Sequence, residues 1–198
     1  MCRPVPLSWL GFLDKARDLD RDRLSLREAA EMGAELQING EEELVAMLEF
    51  FTHLGLLMHY NTAGLRELVV LRPQWLLDHM CLLLCHRHLG WILGTEHPVA
   101  TGRQLNMQPG LPSVEDPAAR AAVLCLKKEG RLEPGLVLSS LWPDISGGER
   151  WAVLEYMVHF NLCCRLPQES GMCVVPALLL GSLSLSDPAS WSSASLNR

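Results

Sequence analysis

Apolar residues recur every three to four positions over several stretches of the chain, which predicts a series of amphipathic helices. The first covers about Pro6 to Asp18, with Trp9, Leu10, Leu13 and Arg17 at helical spacing. Charges then crowd into Asp18-Leu19-Asp20-Arg21-Asp22-Arg23, which reads as a solvated connection. Ser25-Leu26-Arg27-Glu28 has the form of a capping box, in which Ser and Glu satisfy orphan backbone donors reciprocally, so a short helix starts there and fades near Gly33. Asn39-Gly40-Glu41-Glu42 repeats the signal with Asn as cap and three acids at the positive end of the helix dipole. Leu44, Met47, Leu48, Phe51 and Leu54 form its apolar face, and Gly55 closes it.

Two strands are predicted next, at Leu56–Tyr60 and Leu68–Leu71, with the turn-rich Asn61-Thr62-Ala63-Gly64 between them. Pro73 then opens a helix to about His88. Residues 94–117 carry four prolines and three glycines with no sustained period, and read as a long loop. Asp116-Pro117 starts another helix, which stops near Gly130. A short helix around Pro134–Trp142 follows, and Ser146-Gly147-Gly148-Glu149 opens one to about Phe160. Strands at Leu162–Leu166 and Cys173–Val175 come last, before a tail, Gly181–Arg198, with seven serines that reads as disordered.

The segments Leu48–Leu56 and Leu154–Leu162 align without gaps at an offset of 106 residues, sharing Leu, Glu, His and a final Leu. The same offset carries Val69 onto Val175. Each segment belongs to a run of capped helix, strand, turn and strand preceded by further helices, the general plan of a winged helix. The predicted fold class is therefore helix-rich α+β: two winged-helix-like units, each of helices plus a small antiparallel hairpin, packed in tandem. Their expected bounds are residues 4–93 and 118–180, with the Pro/Gly loop at 94–117 and the Ser-rich tail at 181–198.

Composition narrows the function. Of 198 residues, 39 are leucine and only 20% are charged, so a folded core is expected rather than a disordered chain. The net charge of −6 does not suit a protein that grips a phosphate backbone over its whole surface. The N-terminal Leu7–Leu13 run is short and reaches Asp14 and Lys15 without a small-residue cleavage site, unlike a signal peptide. Trp75–Leu93 is the longest greasy stretch, but Asp78, His79, His86, Arg87 and His88 interrupt it, so no membrane span is expected. Seven cysteines, most of them inside apolar runs, read as reduced and buried in a cytoplasmic protein.

Candidate chemistry is sparse. No phosphate-binding glycine loop, dinucleotide fingerprint, His-Glu-x-x-His, nucleophile elbow or Cys-x-x-Cys occurs. Cys81, Cys85 and His88 would share one helical face at i, i+4 and i+7 and could offer zinc thiolate and imidazole ligands. No second tightly spaced ligand pair accompanies them, and core packing of the cysteines is the blander alternative, so no metal, cofactor or catalytic residue is assigned. A winged helix raises nucleic-acid binding as an alternative. The helix that would enter a groove is Glu42–Leu54, which has no Lys or Arg, or Arg150–Phe160, which has only Arg150.

Several motifs, in order, resemble the COR (C-terminal of Roc) region of Roco proteins. They are Val5-Pro6-Leu7-Ser8-Trp9, the Leu48–Tyr60 block, and Leu68 to Asp78 with its Pro73-Gln74-Trp75-Leu76 helix opening. Gly130-Arg131-Leu132 through Leu141-Trp142, then Leu162–Pro167 and Val175–Leu179, complete the series. The resemblance covers roughly residues 4–180 and is nearest to kinase-less vertebrate members with leucine-rich repeats. It implies a non-catalytic regulatory module of a Roco GTPase, which packs on a Roc GTPase domain and relays its nucleotide state in intracellular signalling. Leu65–Leu71 and the first helix near Trp9 are the expected Roc-facing surfaces. The resemblance further implies a homodimer formed through the second half of COR. The serine-rich tail stands where that half is expected to begin, which reads as a fragment or a spliced form.

Overall fold

The structure, a computed structural model, describes residues 5–95, 112–169 and 171–182 of the chain. It is helix-rich α+β with small antiparallel sheets. Two compact units interleave along the sequence. The first takes the described part of Met1–Leu82 together with Trp142–Asn161, and the second takes that of Leu83–Leu141 and Leu162–Arg198.

In the first unit, α1 (Leu7–Asp18) is followed by the three-residue strand β1 (Arg23–Ser25), then α2 (Leu26–Glu35) and α3 (Glu41–His53). The Ser25 capping box forms as predicted: the Glu28 amide donates to Ser25 Oγ at 3.2 Å, and the Ser25 amide donates to Glu28 Oε2 at 2.8 Å. The cap of α3 differs. Gly40 at φ +97° holds the capping position without a side-chain bond, and the Asn39 amide instead donates to Glu43 Oε2 at 3.2 Å. Phe12, Ala29, Met47, Leu48, Phe51, Leu57 and Val69 converge on one core, with Trp9, Leu36 and Phe50 against its edge.

The predicted first hairpin is pared to a single bridge. Within Leu56–Tyr60 only Met58 pairs with Val70, through two N–H···O bonds of 2.9 Å. β2 (Leu68–Val70) finds its longer partner in β1, antiparallel, with Leu24 opposite Val69. Arg23–Ser25, read from sequence as connection and cap, is thus a strand. Three residues are too few for alternation to mark a strand, and the ladder exists only because a buried strand lies beside them.

α4 (Pro73–Leu84) does not run on to His88. Cys85 is extended, at φ −95° and ψ 107°, and α5 (His86–Ile92) starts after it. In the second unit, α6 (Pro117–Glu129) is capped by Asp116, whose carboxylate accepts the Ala119 amide at 2.9 Å. α6 contacts α5, β3 (Arg131–Leu132), α7 (Pro134–Leu141) and α9 (Pro176–Ser182). Gly130 ends α6 at φ +65°, where a Cβ would stand 3.0 Å from the Val175 carbonyl oxygen. Glycine there permits both the left-handed turn and the 2.8 Å bond from the Val175 amide to the Gly130 carbonyl. β4 (Cys164–Arg165) and β5 (Cys173–Val174) form the predicted second hairpin, and β3 adds a strand in the order β3-β5-β4.

α8 (Gly147–His159), expected within a 118–180 unit, folds with the first unit. Its hydroxyl-bearing Tyr156 is fully buried beside Met58 and Leu68, whose carbonyls lie 3.5 Å from the phenol oxygen, and its ring meets Tyr60 edge-on at 5.8 Å. Ala152, Val153, Leu154, Tyr156 and Met157 bury more than one side of α8, so its periodicity alone does not name its neighbours.

The internal repeat survives in connectivity, with a shifted register. Both runs read helix, strand, helix, helix, strand or bridge, strand, helix. Val70 pairs with Arg23 and Met58, and Val174 pairs with Arg131 and Cys164. The equivalent of Val70 is therefore Val174, rather than Val175 matching Val69, because the second hairpin is shorter between its paired residues. Most of the 94–117 loop and all but the first two residues of the 181–198 tail lie outside the described residues; Gly181 and Ser182 complete α9.

Candidate functional site

The zinc face proposed for Cys81, Cys85 and His88 required one continuous helix, and the extended Cys85 between α4 and α5 interrupts it. Among the described residues no group of three or more His, Cys, Asp or Glu is placed to hold a metal ion. Nor is any described helix long and apolar enough to cross a membrane. The Cys125 thiol sits 3.7 Å from Glu129, and burial together with that carboxylate pushes its pKa up, the opposite of an activated nucleophile.

The two helices that would enter a nucleic-acid groove carry no free cationic row. α3 opens with Glu41, Glu42 and Glu43, and Glu41 pairs with Arg66. On α8 the sole cation, Arg150, donates from Nε to the Trp142 carbonyl at 2.9 Å and from a guanidinium NH2 to that of Pro143 at 3.4 Å.

What the first unit does build is a polar clasp within an aromatic frame. Arg23 on β1 donates to Glu149 Oε1 at 2.5 Å and Oε2 at 3.1 Å, and its guanidinium lies 4.7 Å from the Trp75 ring centroid. Glu149 also closes the α8 capping box, accepting from the Ser146 amide at 3.1 Å. The Arg23 guanidinium and the Ser146 donors hold the Glu149 carboxyl down at about 2. Trp142, fully buried, donates its indole N–H to the His79 carbonyl at 3.2 Å. Four tryptophans stand at or near helix termini. Trp142 is buried, Trp75 and Trp9 are half-buried, and Trp151 stands 48% exposed on α8.

Of the two expected Roc-facing surfaces, Leu65–Leu71 is largely core. Leu65, Leu68, Val69 and Val70 are buried and only Arg66 and Glu67 are exposed. The α1 surface is open: Leu7 and Leu10 are exposed beside Trp9, which rests on Phe50 with ring centroids 5.7 Å apart. A groove of about 420 Å³ lies between α2 and α3, with Ala30, Ala34, Ile38 and Leu44 on its walls and Arg27, Arg66, Glu41 and Glu67 at its rim.

Sequence reasoning overlooked His59. It is 1% exposed, its Nε2 lies 3.1 Å from the Arg66 carbonyl oxygen and its Nδ1 has no partner. Burial lowers its pKa from 6.5, against the nearby carboxylates of Glu49 and Glu67 and with the help of the Arg66 charge. The folded chain therefore favours neutral His59. Its stabilising contribution is complete above pH 6.5 and is lost as pH falls from there toward the depressed folded value. Urea melts across this range should show stability falling with acidification, by no more than about 1.4 kcal/mol per pH unit from this one proton. His59→Gln should flatten that slope; an unchanged slope would assign the effect elsewhere.

The fold and these surfaces can be set beside known proteins. A family model described as C-terminal of Roc, COR-A domain, matches residues 6–95. A Dictyostelium discoideum protein named probable serine/threonine-protein kinase roco11 is 46% identical over 52 residues, 26% of this chain. The chain spans only 3% of that relative's length. Among solved structures, Methanosarcina barkeri Roco2 RocCORdC bound to GDP matches 87% of this chain and 43% of its own, with a TM-score of 0.57 and 17% identity, a likeness of fold. On these matches, residues 6–95 are similar to a COR-A domain, and the chain resembles the COR region of Roco proteins.

Proposed function

We propose that this chain is a non-catalytic regulatory module, which docks on a Roc GTPase domain and relays its nucleotide state in cytoplasmic signalling. The observation that carries this reading is the COR-A match over residues 6–95, set within a fold likeness that extends over 87% of the chain. Within this proposal residues 4–93 and 118–180 are two winged-helix-like repeats, supported by their common order of helices and strands and by the paired roles of Val70 and Val174. The 94–117 loop and the 181–198 tail flank the second repeat. The exposed Leu7 and Leu10 on α1, backed by Trp9, are the docking surface, since Leu65–Leu71 is committed to the core.

Calorimetry of the full chain against the Roc domains of its source organism, each loaded with GDP or with a non-hydrolysable GTP analogue, tests the reading. One Roc domain should bind with affinity that differs between the two nucleotides, and a Leu7→Asp, Leu10→Asp chain should bind more weakly while keeping its melting temperature. Equal affinity for both nucleotide states removes the relay. Micromolar GTP binding by the chain itself overturns the non-catalytic assignment.

A further inference from the structure

The second unit contains a pair of thiols that the regulatory reading does not use. Cys163 immediately precedes β4 and Cys173 opens β5. In the β4–β5 ladder Cys173 stands opposite Arg165, two residues on from Cys163, so the two cysteines are diagonal neighbours on adjacent antiparallel strands. Both are reduced, with 1% and 2% of their surfaces exposed, and each thiol acts electrostatically on the other. Two buried thiols on one face of strands already held in register can meet through a local shift of the short hairpin.

We propose that Cys163 and Cys173 are a redox pair, which a hydroperoxide closes to a disulfide across the β4–β5 hairpin.

The electrostatics divide the roles. The neighbouring Cys163 thiol and the charge of Arg165, which stands opposite in the ladder, lower the pKa of Cys173, while Cys173 and burial push that of Cys163 up. Cys173 is the sulfur that ionises and attacks. Its thiolate takes one oxygen of the peroxide, hydroxide leaves, and Cys173 becomes a sulfenic acid. The Cys163 sulfur then attacks the Cys173 sulfur and displaces the hydroxyl, which leaves as water with the Cys163 proton. Two thiols supply two electrons, and one peroxide becomes two waters. Access comes from the hairpin itself: each strand is two residues long and both β4 residues are exposed, so local opening reaches the pair without unfolding the unit. The pair therefore reacts more slowly than the exposed thiols of Cys81 and Cys164, and closing it ties β4 to β5 covalently.

The test uses the whole reduced chain treated with hydrogen peroxide, blocked with N-ethylmaleimide, digested with trypsin and read by mass spectrometry. The tryptic peptides 151–165 and 166–198 should appear joined, and neither Cys163 nor Cys173 should carry N-ethylmaleimide. Dithiothreitol should reverse both changes. Cys164→Ser should leave the cross-link intact, which assigns it to Cys163, and Cys173→Ala should abolish it. The proposal is overturned if peroxide modifies Cys164 and Cys81 while Cys163 and Cys173 stay reduced. It is equally overturned if Cys164→Ser eliminates the cross-link, or if the cross-link forms to the same extent in concentrated urea. The Cys164→Ser and urea arms hold even where Cys173→Ala fails to fold.

Discussion

Trp142→Ala is expected to cost about 3–5 kcal/mol, the range for deleting a fully buried aromatic ring. The side chain is 1% exposed, and its indole N–H satisfies the His79 carbonyl on α4. Truncation thus leaves a ring-sized void and removes the bond from the indole to α4 together. Set against a total stability of about 5–15 kcal/mol, this removes roughly a fifth or more of the margin. Urea denaturation followed by circular dichroism should show the midpoint collapse. Trp142→Phe separates the two contributions: it keeps most of the volume and loses the donor, for about 1–2 kcal/mol. Trp151→Ala, at a 48% exposed position of α8, should change stability by no more than about 1 kcal/mol. Equal losses at Trp142 and Trp151 would mean that the burial contrast does not set the energetics.

The second large effect is acid destabilisation through Glu149. Its carboxyl titrates at about 2 in the fold against 4.5 ordinarily, and both it and Arg23 are less than a third exposed. Between those values the unfolded chain binds the proton that the folded chain refuses, so stability falls as pH falls. The contribution is complete above pH 4.5 and is lost progressively toward pH 2, to a total of about 3 kcal/mol. Glu28, held at about 2 by the Ser25 cap and Arg21, adds to the same acid limb, but its partner is at the surface and salt should screen it. Melting Glu149→Gln from pH 6 down to pH 2.5 should reveal a much shallower acid limb than the parent's. A variant with an unchanged acid limb would show that the Arg23–Glu149 clasp does not stabilise the unit.

This clasp also separates what local sequence encodes from what it leaves open. The capping boxes at Ser25 and Ser146 were legible because each is complete within four residues. The stop at Gly130 was legible too, since a left-handed residue followed by a close backbone approach leaves little choice but glycine. That Glu149 would serve a second partner was invisible, because Arg23 lies 126 residues away in sequence. The candidate site suffered most from this limit. The α1 surface near Trp9 is exposed, whereas Leu65, Leu68, Val69 and Val70, expected on the resemblance to face Roc, are buried.

Helix positions, their caps and the ordered motifs of a COR region could be read from the chain alone, because propensity, capping and periodicity act over a few residues. Strand partnership could not. β1 is a strand only because β2 lies beside it, Leu56–Tyr60 keeps one bridge, and the repeat's register moves from Val175 to Val174. Nor could the place of α8, which buries residues on more than one side and folds with the first unit. A continuous Cys81–His88 helix was equally consistent with the local pattern, and the extended backbone at Cys85 removed it. Each of these outcomes depends on contacts between residues far apart in sequence, where burial of apolar surface outweighs local preference.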